Sequence, residues 1–448
     1  MKISIAVVCV FAAAAALNAQ ESSDTGIGYA GPSILSRGVE QAGRRGSETV
    51  RFRFFGQVNT LYDTGLLPVA ATAEGNAVSD ALLGVEAQLG AFGYHRWRHS
   101  SLGFDYRGTY RNYGQNTYYN GSDHTLGLGY ATQVSRRVTL TLQPKLGTYS
   151  RSFASFGLYS GLLSADPVSP GTPTNDIYDD RTYFAEGSAR LVFQQNARLS
   201  YSISGEGYSV QRQNKSLASM TGYTTTTDVA YRLNRTQSLF AAYYYLHYGF
   251  GRAFGGTDGN MLMVGHSMKI GRTMELSASL GAMALESKGL QEVQLDPIIA
   301  ALVGQTSSIQ VFYKKSYIPS SNVSLSRSFR KSSVSVSYNQ GVSPGNGVYL
   351  TSRSRNVGIF GGYTGIRKWD FSGGFAYSQL MGLGFIQGAY STWTGGGGVA
   401  YRLSNLFSMS GRVDSRRAAL TTSGFQRDSV RLSFGVTVSP GEMPVSLW

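Results

Sequence analysis

The sequence predicts an all-β protein, a transmembrane antiparallel up-and-down β-barrel of about eighteen strands. Three observations predict it. Short arginine-bearing turns recur along nearly the whole chain, segments of alternating apolar and polar residues flank each turn, and the apolar rows end in aromatic residues beside the turns. Alternation places successive side chains on opposite faces of a strand, so such a strand meets lipid on one side and water on the other.

The turns set the frame. They read His95-Arg96-Trp97-Arg98, Ser135-Arg136-Arg137, Asn196-Ala197-Arg198, Leu233-Asn234-Arg235, Gly271-Arg272-Thr273, Phe329-Arg330-Lys331, Ile366-Arg367-Lys368 and Leu403-Ser404-Asn405. Their centres, near 97, 136, 197, 234, 272, 330, 367 and 404, leave gaps of about 39, 61, 37, 38, 58, 37 and 37 residues. The ordinary gap holds a strand, an outer loop, a strand and a tight turn; the two long gaps assign about 20 extra residues each to two outer loops, 150–180 and 287–306.

In chain order, Met1-Lys2, the apolar stretch Ile3–Leu17 and Asn18-Ala19-Gln20 read as a signal peptide over 1–19. The single cysteine, Cys9, lies inside it, so the mature chain has no disulfide, thiolate metal site or lipoprotein anchor. Residues 20–47 lack periodicity and read as an irregular periplasmic segment, 48–439 as the barrel, and 440–448 as a C-terminal tail. The first strand alternates Val50, Phe52, Phe54, Val58 and Tyr62 with Arg51, Arg53, Gln57 and Asn59. The pattern returns around Leu83–Ala91, Leu102–Tyr110, Tyr183–Phe193 and Val430–Val438, in strands long enough for a tilted crossing. Tyr130, Phe193, Tyr231, Phe329 and Tyr401 close the apolar rows as an interfacial girdle. Val229-Ala230-Tyr231-Arg232-Leu233-Asn234 recurs as Val399-Ala400-Tyr401-Arg402-Leu403-Ser404, with tyrosine toward lipid and arginine toward the lumen.

Eight tight turns join sixteen strands, and one strand at each end makes eighteen. Both termini then fall on the tight-turn, periplasmic side. Sixteen and twenty stay open, because 307–328 reads either as one bent strand or as a strand plus a loop hairpin. In the second long loop, Asp296 and Pro297 begin a helix that continues through Ile298, Ile299 and Leu302 to Gly304. Such an apolar helix is expected to fold over the barrel mouth as the constriction, or to pack on neighbouring loops.

The net charge of +14 raises the question of nucleic acid, but the basic residues are scattered singly and form no patch. Those assigned to the lumen are Arg51, Arg53, Arg107, Arg111, Arg190, Arg232, Arg402 and Arg431, with Lys145, Lys269, Arg327, Lys368 and Arg412. Glu86, Asp105, Glu186, Glu206, Asp228, Glu275, Asp370 and Asp414 oppose them. The basic excess favours anions in a narrow pore, whereas pairing across strands would leave only a wet, neutral wall. Phe184, Tyr208 and Phe360 are read as inward aromatics. No Gly-x-Ser-x-Gly frame, phosphate loop or dinucleotide fingerprint is present, His95 and His99 make a poor metal pair, and Asp176, Asp179 and Asp180 fit no established calcium loop. Neither an enzyme nor a cofactor is expected.

Over 50–439 the chain resembles bacterial outer-membrane β-barrel proteins of the general porin type. Its end, Val445-Ser446-Leu447-Trp448, is similar to the terminal aromatic read by the barrel-assembly machinery, but Pro440, Gly441 and Pro444 separate Trp448 from the last clear strand. The resemblance implies an outer-membrane location, lipid and lipopolysaccharide as surroundings, the assembly machinery as a partner, and homo-oligomers as a common form. The expected function is passive diffusion of small hydrophilic solutes, anions favoured. The alternative is a non-channel adhesion or scaffold barrel, or the outer-membrane partner of a polymer secretion system.

Overall fold

The computed structural model describes residues 49–66, 81–114, 119–150, 178, 180–251, 253–294, 305–383, 388–421, 425–440 and 442–446. The strands in order are β1 (Thr49–Asp63), β2 (Leu82–Arg96), β3 (Ser100–Tyr113), β4 (Gly121–Ser135), β5 (Val138–Ser150), β6 (Arg181–Gln194), β7 (Leu199–Arg212), β8 (Ser219–Arg232), β9 (Gln237–Gly251) and β10 (Gly255–Ile270). They continue with β11 (Met274–Gln294), β12 (Ser307–Ser328), β13 (Ser332–Ser343), β14 (Ser352–Tyr363), β15 (Trp369–Gly382), β16 (Ala389–Arg402), β17 (Phe407–Leu420), β18 (Gln426–Val438) and the short β19 (Glu442–Ser446). From β1 to β18 each strand pairs antiparallel with the next, and β1 pairs with both β2 and β18, which closes the sheet.

The barrel therefore has eighteen strands. All eight tight turns stand where the sequence puts them, between β2–β3, β4–β5, β6–β7, β8–β9, β10–β11, β12–β13, β14–β15 and β16–β17. Side-chain oxygens close several of them. Asn196 Oδ1 accepts from the backbone N–H of Arg198 (2.8 Å) and Leu199 (2.9 Å), Asn234 Oδ1 from Thr236 (2.8 Å), and Ser404 Oγ from Leu406 and Phe407 (both 3.1 Å). These short acceptors imitate a backbone turn, which is why the echoed hexapeptides end in Asn and Ser.

Alternation sorts the faces as predicted. Leu83, Leu89, Ile203, Leu262, Leu280 and Phe434 are exposed on the outer face, and Trp369 stacks on Phe371 and tilts against Tyr401 at ring separations of 6.0 and 4.7 Å within the girdle. The abundance of glycine has a packing reason. A Cβ at Gly90, Gly265 or Gly374 would strike the ring of Phe55, Phe240 or Phe360, so an inward ring lies flat over a glycine on the next strand.

Two readings change. Within the 440–448 tail, Glu442–Ser446 joins the sheet, because β19 pairs with β1 from Arg53↔Glu442 to Thr49↔Ser446. Gly56 pairs with Val438 and Arg53 with Glu442, so the register shifts by one residue between β18 and β19. Pro444 is tolerated because β19 runs beyond the β16–β17 turn and, among the described residues, pairs on one side only. The second long gap also does not become a loop of 20 residues. β11 and β12 have 21 and 22 residues, pair along their whole length, and carry the chain well past the neighbouring strands. The segment 307–328 is one continuous strand. The predicted helix at 296–303, the loop 150–180, the signal peptide and 20–47 lie outside the described residues, apart from Tyr178, Asp180 and the strand end at 150.

At the β1–β18 seam Gly435 faces Asn59, and a side chain there would overlap Asn59 Oδ1 and the Val58 carbonyl. Gly435→Val is expected to cost about 1–3 kcal/mol through overpacking of the closing pair. The check is heat-modifiable migration in SDS gels, with the compact band of the native barrel weakened or lost at a lower temperature than in the wild type.

Candidate functional site

The site is the interior of the barrel on its long-loop side. It is built from a charged wall, an apolar wall and one loop that crosses between them.

The charged wall occupies the inner faces of β16–β18 and β1–β4. Register brings Asp63 opposite Arg431 across the closing seam, and Arg431 donates to both carboxylate oxygens at 2.6 and 2.7 Å. The Tyr113 hydroxyl donates to Asp63 as well. One strand further, Arg111 Nε donates to Glu86 Oε2 at 2.5 Å and its Nη2 to Asp123 Oδ2 at 2.8 Å, while Asn59 and Gln88 donate to Glu86 Oε1. Arg412 holds Asp414 through Nε at 2.8–2.9 Å, Arg416 donates to the Tyr390 hydroxyl at 2.9 Å, and Arg427 Nε donates to the Gly65 carbonyl at 2.5 Å. Asp63, Glu86, Asp123 and Asp414 each have a guanidinium partner. Such pairs survive burial only when the remaining lone pairs are hydrogen-bonded, which the flanking amides and tyrosines provide.

The apolar wall covers the inner faces of β7–β12. Tyr208 and Val210, Met220, Leu246 and Tyr248, Met261 and Met263, Met283 and Leu285, and Ile318 form one buried cluster. The inner row of β9, Phe240-x-Ala242-x-Tyr244-x-Leu246-x-Tyr248, has no charge. Here the expectation of a polar inner row fails. Once part of the lumen is filled by protein, the row behind it faces a core rather than water, and apolar residues stabilise that core.

The crossing element is the β13–β14 loop, 344–351. β13 pairs with β12 only from Ser328↔Ser333 to Ser321↔Gln340, and then leaves it. Val342 turns into the apolar cluster beside Met283 and Ile318. The loop is held by its own sequence. Ser343 Oγ accepts from Gly345 N–H at 3.2 Å, and Asn346 Oδ1 from Val348 and Tyr349 N–H at 3.3 and 3.0 Å. Gly345 and Gly347 have φ of 84° and 87°, a backbone that a Cβ would strain. On one side the Gly347 carbonyl accepts from Ala218 N–H at 2.9 Å, with the Arg212 guanidinium against the glycine. Thr351 Oγ1 meets Thr257 Oγ1 of β10 at 2.5 Å. On the other side Tyr349 is buried with Leu380, Tyr390 and Ala418 of β15–β17. One loop thus ties both walls together.

The sequence-derived lumen residues fall into groups. Arg111 and Arg431 point inward but are buried in ion pairs. Arg53 and Arg107 also point inward and are half-buried, and Arg190 spans Ser202 at 3.0 Å and Asp228 at 3.2 Å. Arg232 and Arg402 point inward at the tight-turn rim, far from the crossing loop; the former donates to the Asn234 carbonyl at 3.1 Å. The side chain of Arg51 lies outside the described residues. Arg327 and Lys368 are corrections. Arg327 faces outward, its guanidinium 4.5 Å from the centre of the Phe329 ring, and Lys368 belongs to a turn, with φ of 67°. Alternation loses its authority within a residue or two of a turn, where an arginine gains more from an aromatic face. The constriction candidates Asp296, Pro297, Ile298, Ile299 and Leu302 lie outside the described residues. Sequence reasoning missed Asp63, Asp123, Arg212, Arg416, Arg427 and the loop 344–351. The available signal was Pro344-Gly345-Asn346-Gly347 followed at once by Val348-Tyr349-Leu350, an apolar triplet with no lipid to face. Among the described residues no group of three or more metal-type ligands comes together.

Removing one member of a buried ion pair leaves the other charge uncompensated, at a cost of about 3–5 kcal/mol. Asp63→Ala is therefore expected to lower the urea midpoint of the folded barrel strongly, read by tryptophan fluorescence, and the volume-conserving pair Asp63→Leu with Arg431→Met to recover most of the loss.

No family model matches the chain, and no curated protein matches it. Solved structures similar to it include Pseudomonas aeruginosa OccK9 (OpdG), at 14% identity and a TM-score of 0.42 over 87% of this chain and 98% of that one. P. aeruginosa OccK5 (OpdH) is similar at 12% identity and 0.44 over 90% and 100%, and P. aeruginosa OccK2 (OpdF), solved in complex with glucuronate, at 13% and 0.42 over 87% and 98%.

Proposed function

We propose that this chain is an outer-membrane channel through which small hydrophilic solutes diffuse passively, with anions favoured. The observation that carries the reading is the loop 344–351, which spans a closed barrel and is fastened at both ends to its inner walls. A closed barrel with a lipid-facing apolar band satisfies every strand hydrogen bond inside a bilayer, and a loop folded into its lumen sets the size of what passes. Because both termini of the described sheet lie at the tight-turn end, that end is the periplasmic one in this reading.

The anion preference is the finer part. It does not come from Arg111 or Arg431, whose charges are neutralised at contact distance. In this reading it comes from the cations placed beside the crossing loop, among them Arg416, which donates to the Tyr390 hydroxyl in the Tyr349 cluster, and Arg212, whose guanidinium lies against Gly347. The non-channel reading draws on the β11–β12 ribbon, whose Ile309, Tyr313 and Tyr317 are highly exposed on its outer face, with Ile309 past the end of β10.

Planar-bilayer reconstitution separates the two. Discrete single-channel steps are expected, and replacing 345–350 by two glycines is expected to raise their size at least about twofold, since flow scales with the open cross-section. Under a salt gradient, Arg416→Gln is expected to lower the chloride-to-potassium permeability ratio more than Arg232→Gln or Arg402→Gln at the tight-turn rim. A silent barrel that stays silent after the loop is shortened overturns the channel reading.

A further inference from the structure

Where β12 and β13 pair, every inward residue is serine or asparagine. Ser328 stands opposite Ser333, Ser326 opposite Ser335, Ser324 opposite Ser337 and Asn322 opposite Asn339, while Val323, Leu325, Val334 and Val336 take the outer face. This surface lies on the tight-turn side of the apolar wall, next along β12 from Ile318.

Register extends it sideways into two rows. The first passes through Ser238, Ser267, Ser277, Ser324 and Ser337 across β9–β13, with the Ser238 and Ser267 hydroxyls 2.7 Å apart. The second passes through Ser279, Asn322, Asn339, Asn356, Ser378 and Thr392 across β11–β16, and Ser378 Oγ donates to Asn356 Oδ1 at 2.6 Å. Such rows run perpendicular to the strands, and barrel strands are tilted, so each row climbs the wall. Ser279 is five residues from the tight-turn end of its strand at Met274, and Thr392 is ten from its own at Arg402. At the upper end Thr392 stands opposite Ala418, a member of the cluster that holds Tyr349 of the crossing loop.

The rows suit a neutral partner. A serine hydroxyl and an asparagine amide both give and accept hydrogen bonds without carrying charge. The hydroxyls of a sugar or polyol do the same, whereas a carboxylate only accepts. Three polar atoms of this wall, Ser320 Oγ, Ser324 Oγ and Asn339 Nδ2, are shielded and have no hydrogen-bond partner, on residues more than nine-tenths buried. Buried polar atoms are ordinarily paired, and here three exceptions fall on two adjacent strands. Asn322, Ser326, Ser335, Ser337 and Asn356 are only half-buried and supply the accessible surface. Phe360 adds an apolar face beside them, opposite Ser335 and with its ring over Gly374.

We propose that these rows form a binding track for neutral polyhydroxylated solutes, apart from the guanidinium wall. The inference rests on the channel reading for the solute's access to the lumen, and adds a solute class to it.

The test uses the full chain, in detergent micelles and in liposomes. The probes are sorbitol and tetraethylene glycol, similar in size and different in hydroxyl number. The variants are Asn322→Leu with Asn356→Leu, Ser335→Ala with Ser337→Ala, and Asn322→Ser with Asn356→Ser, which keeps hydroxyls in the row. Saturation-transfer NMR in micelles reads binding without requiring conduction. Transfer to sorbitol is expected to fall at least about threefold in the leucine and alanine pairs and to be largely kept in the serine pair, as loss of one or two hydrogen bonds predicts. In liposome swelling, the ratio of the sorbitol rate to the tetraethylene glycol rate is expected to fall in the same two pairs. Heat-modifiable migration verifies that each variant is folded. Absence of transfer to sorbitol in the wild type, or equal transfer in the folded leucine and alanine pairs, overturns the proposal. So does an unchanged swelling ratio with both rates reduced, which reports a narrowed pore. Transfer that is lost in the leucine pair of a barrel that passes no solute supports the track and strikes the channel reading alone.

Discussion

The pairing of β1 with β18 is the constraint on which the rest of the molecule depends. A sheet edge left open in lipid strands a row of N–H and C=O groups that nothing can satisfy, so a spanning sheet either closes or does not insert. Closure here is reinforced from inside. Asp63 and Arg431 face each other across the seam and are joined by two charge-assisted bonds, while Gln57 reaches both Asn59 and Ser410. A purely apolar seam would tolerate slippage by two residues. An ion pair at one register position does not, because a slip would leave two charges buried apart. Specificity of register, more than stability, is what the buried charges contribute.

Closure also explains why the barrel is uneven. β12 has 22 residues and β13 has 12, so the two cannot be paired along their full length. The mismatch leaves β13 free to leave β12 once past Gln340, and Val342 joins the buried cluster of Met283 and Ile318. From that point the short loop has both walls within reach. The long β11–β12 ribbon and the crossing loop are two consequences of one difference in strand length.

How much of this was legible in the sequence follows from the range of the interactions. The turns were legible because Asn196, Asn234 and Ser404 act on atoms two or three residues away. The faces were legible because period two is enforced by every bonded neighbour, and Tyr231 and Arg232, with their echoes Tyr401 and Arg402, fall on the sides predicted. Arg327 was misplaced where that enforcement ends. The gap lengths correctly reported extra residues between 272 and 330, but length alone does not say whether they extend strands or loosen a loop; the alternation of Ile309, Val311 and Tyr313 was the better guide. The loop 344–351 was not legible, because its position depends on Ala218, Thr257, Tyr390 and Ala418, between about 40 and 130 residues away in sequence. Nothing local announces which outer loop turns in.

The division of labour among the arginines bears on the proposed channel. A guanidinium within 3 Å of a carboxylate and sealed from water presents a dipole to the lumen, and a dipole's field fades faster with distance than a charge's. Arg431 and Arg111 therefore add to the formal charge without adding to the potential along the path. The missed acids Asp63 and Asp123 deepen the effect, since each is consumed by an arginine that the sequence count treats as free. Under the proposed channel reading, selectivity would follow the cations nearest the crossing loop. In that reading, a substitution that moves 344–351 changes ion preference without altering any charge.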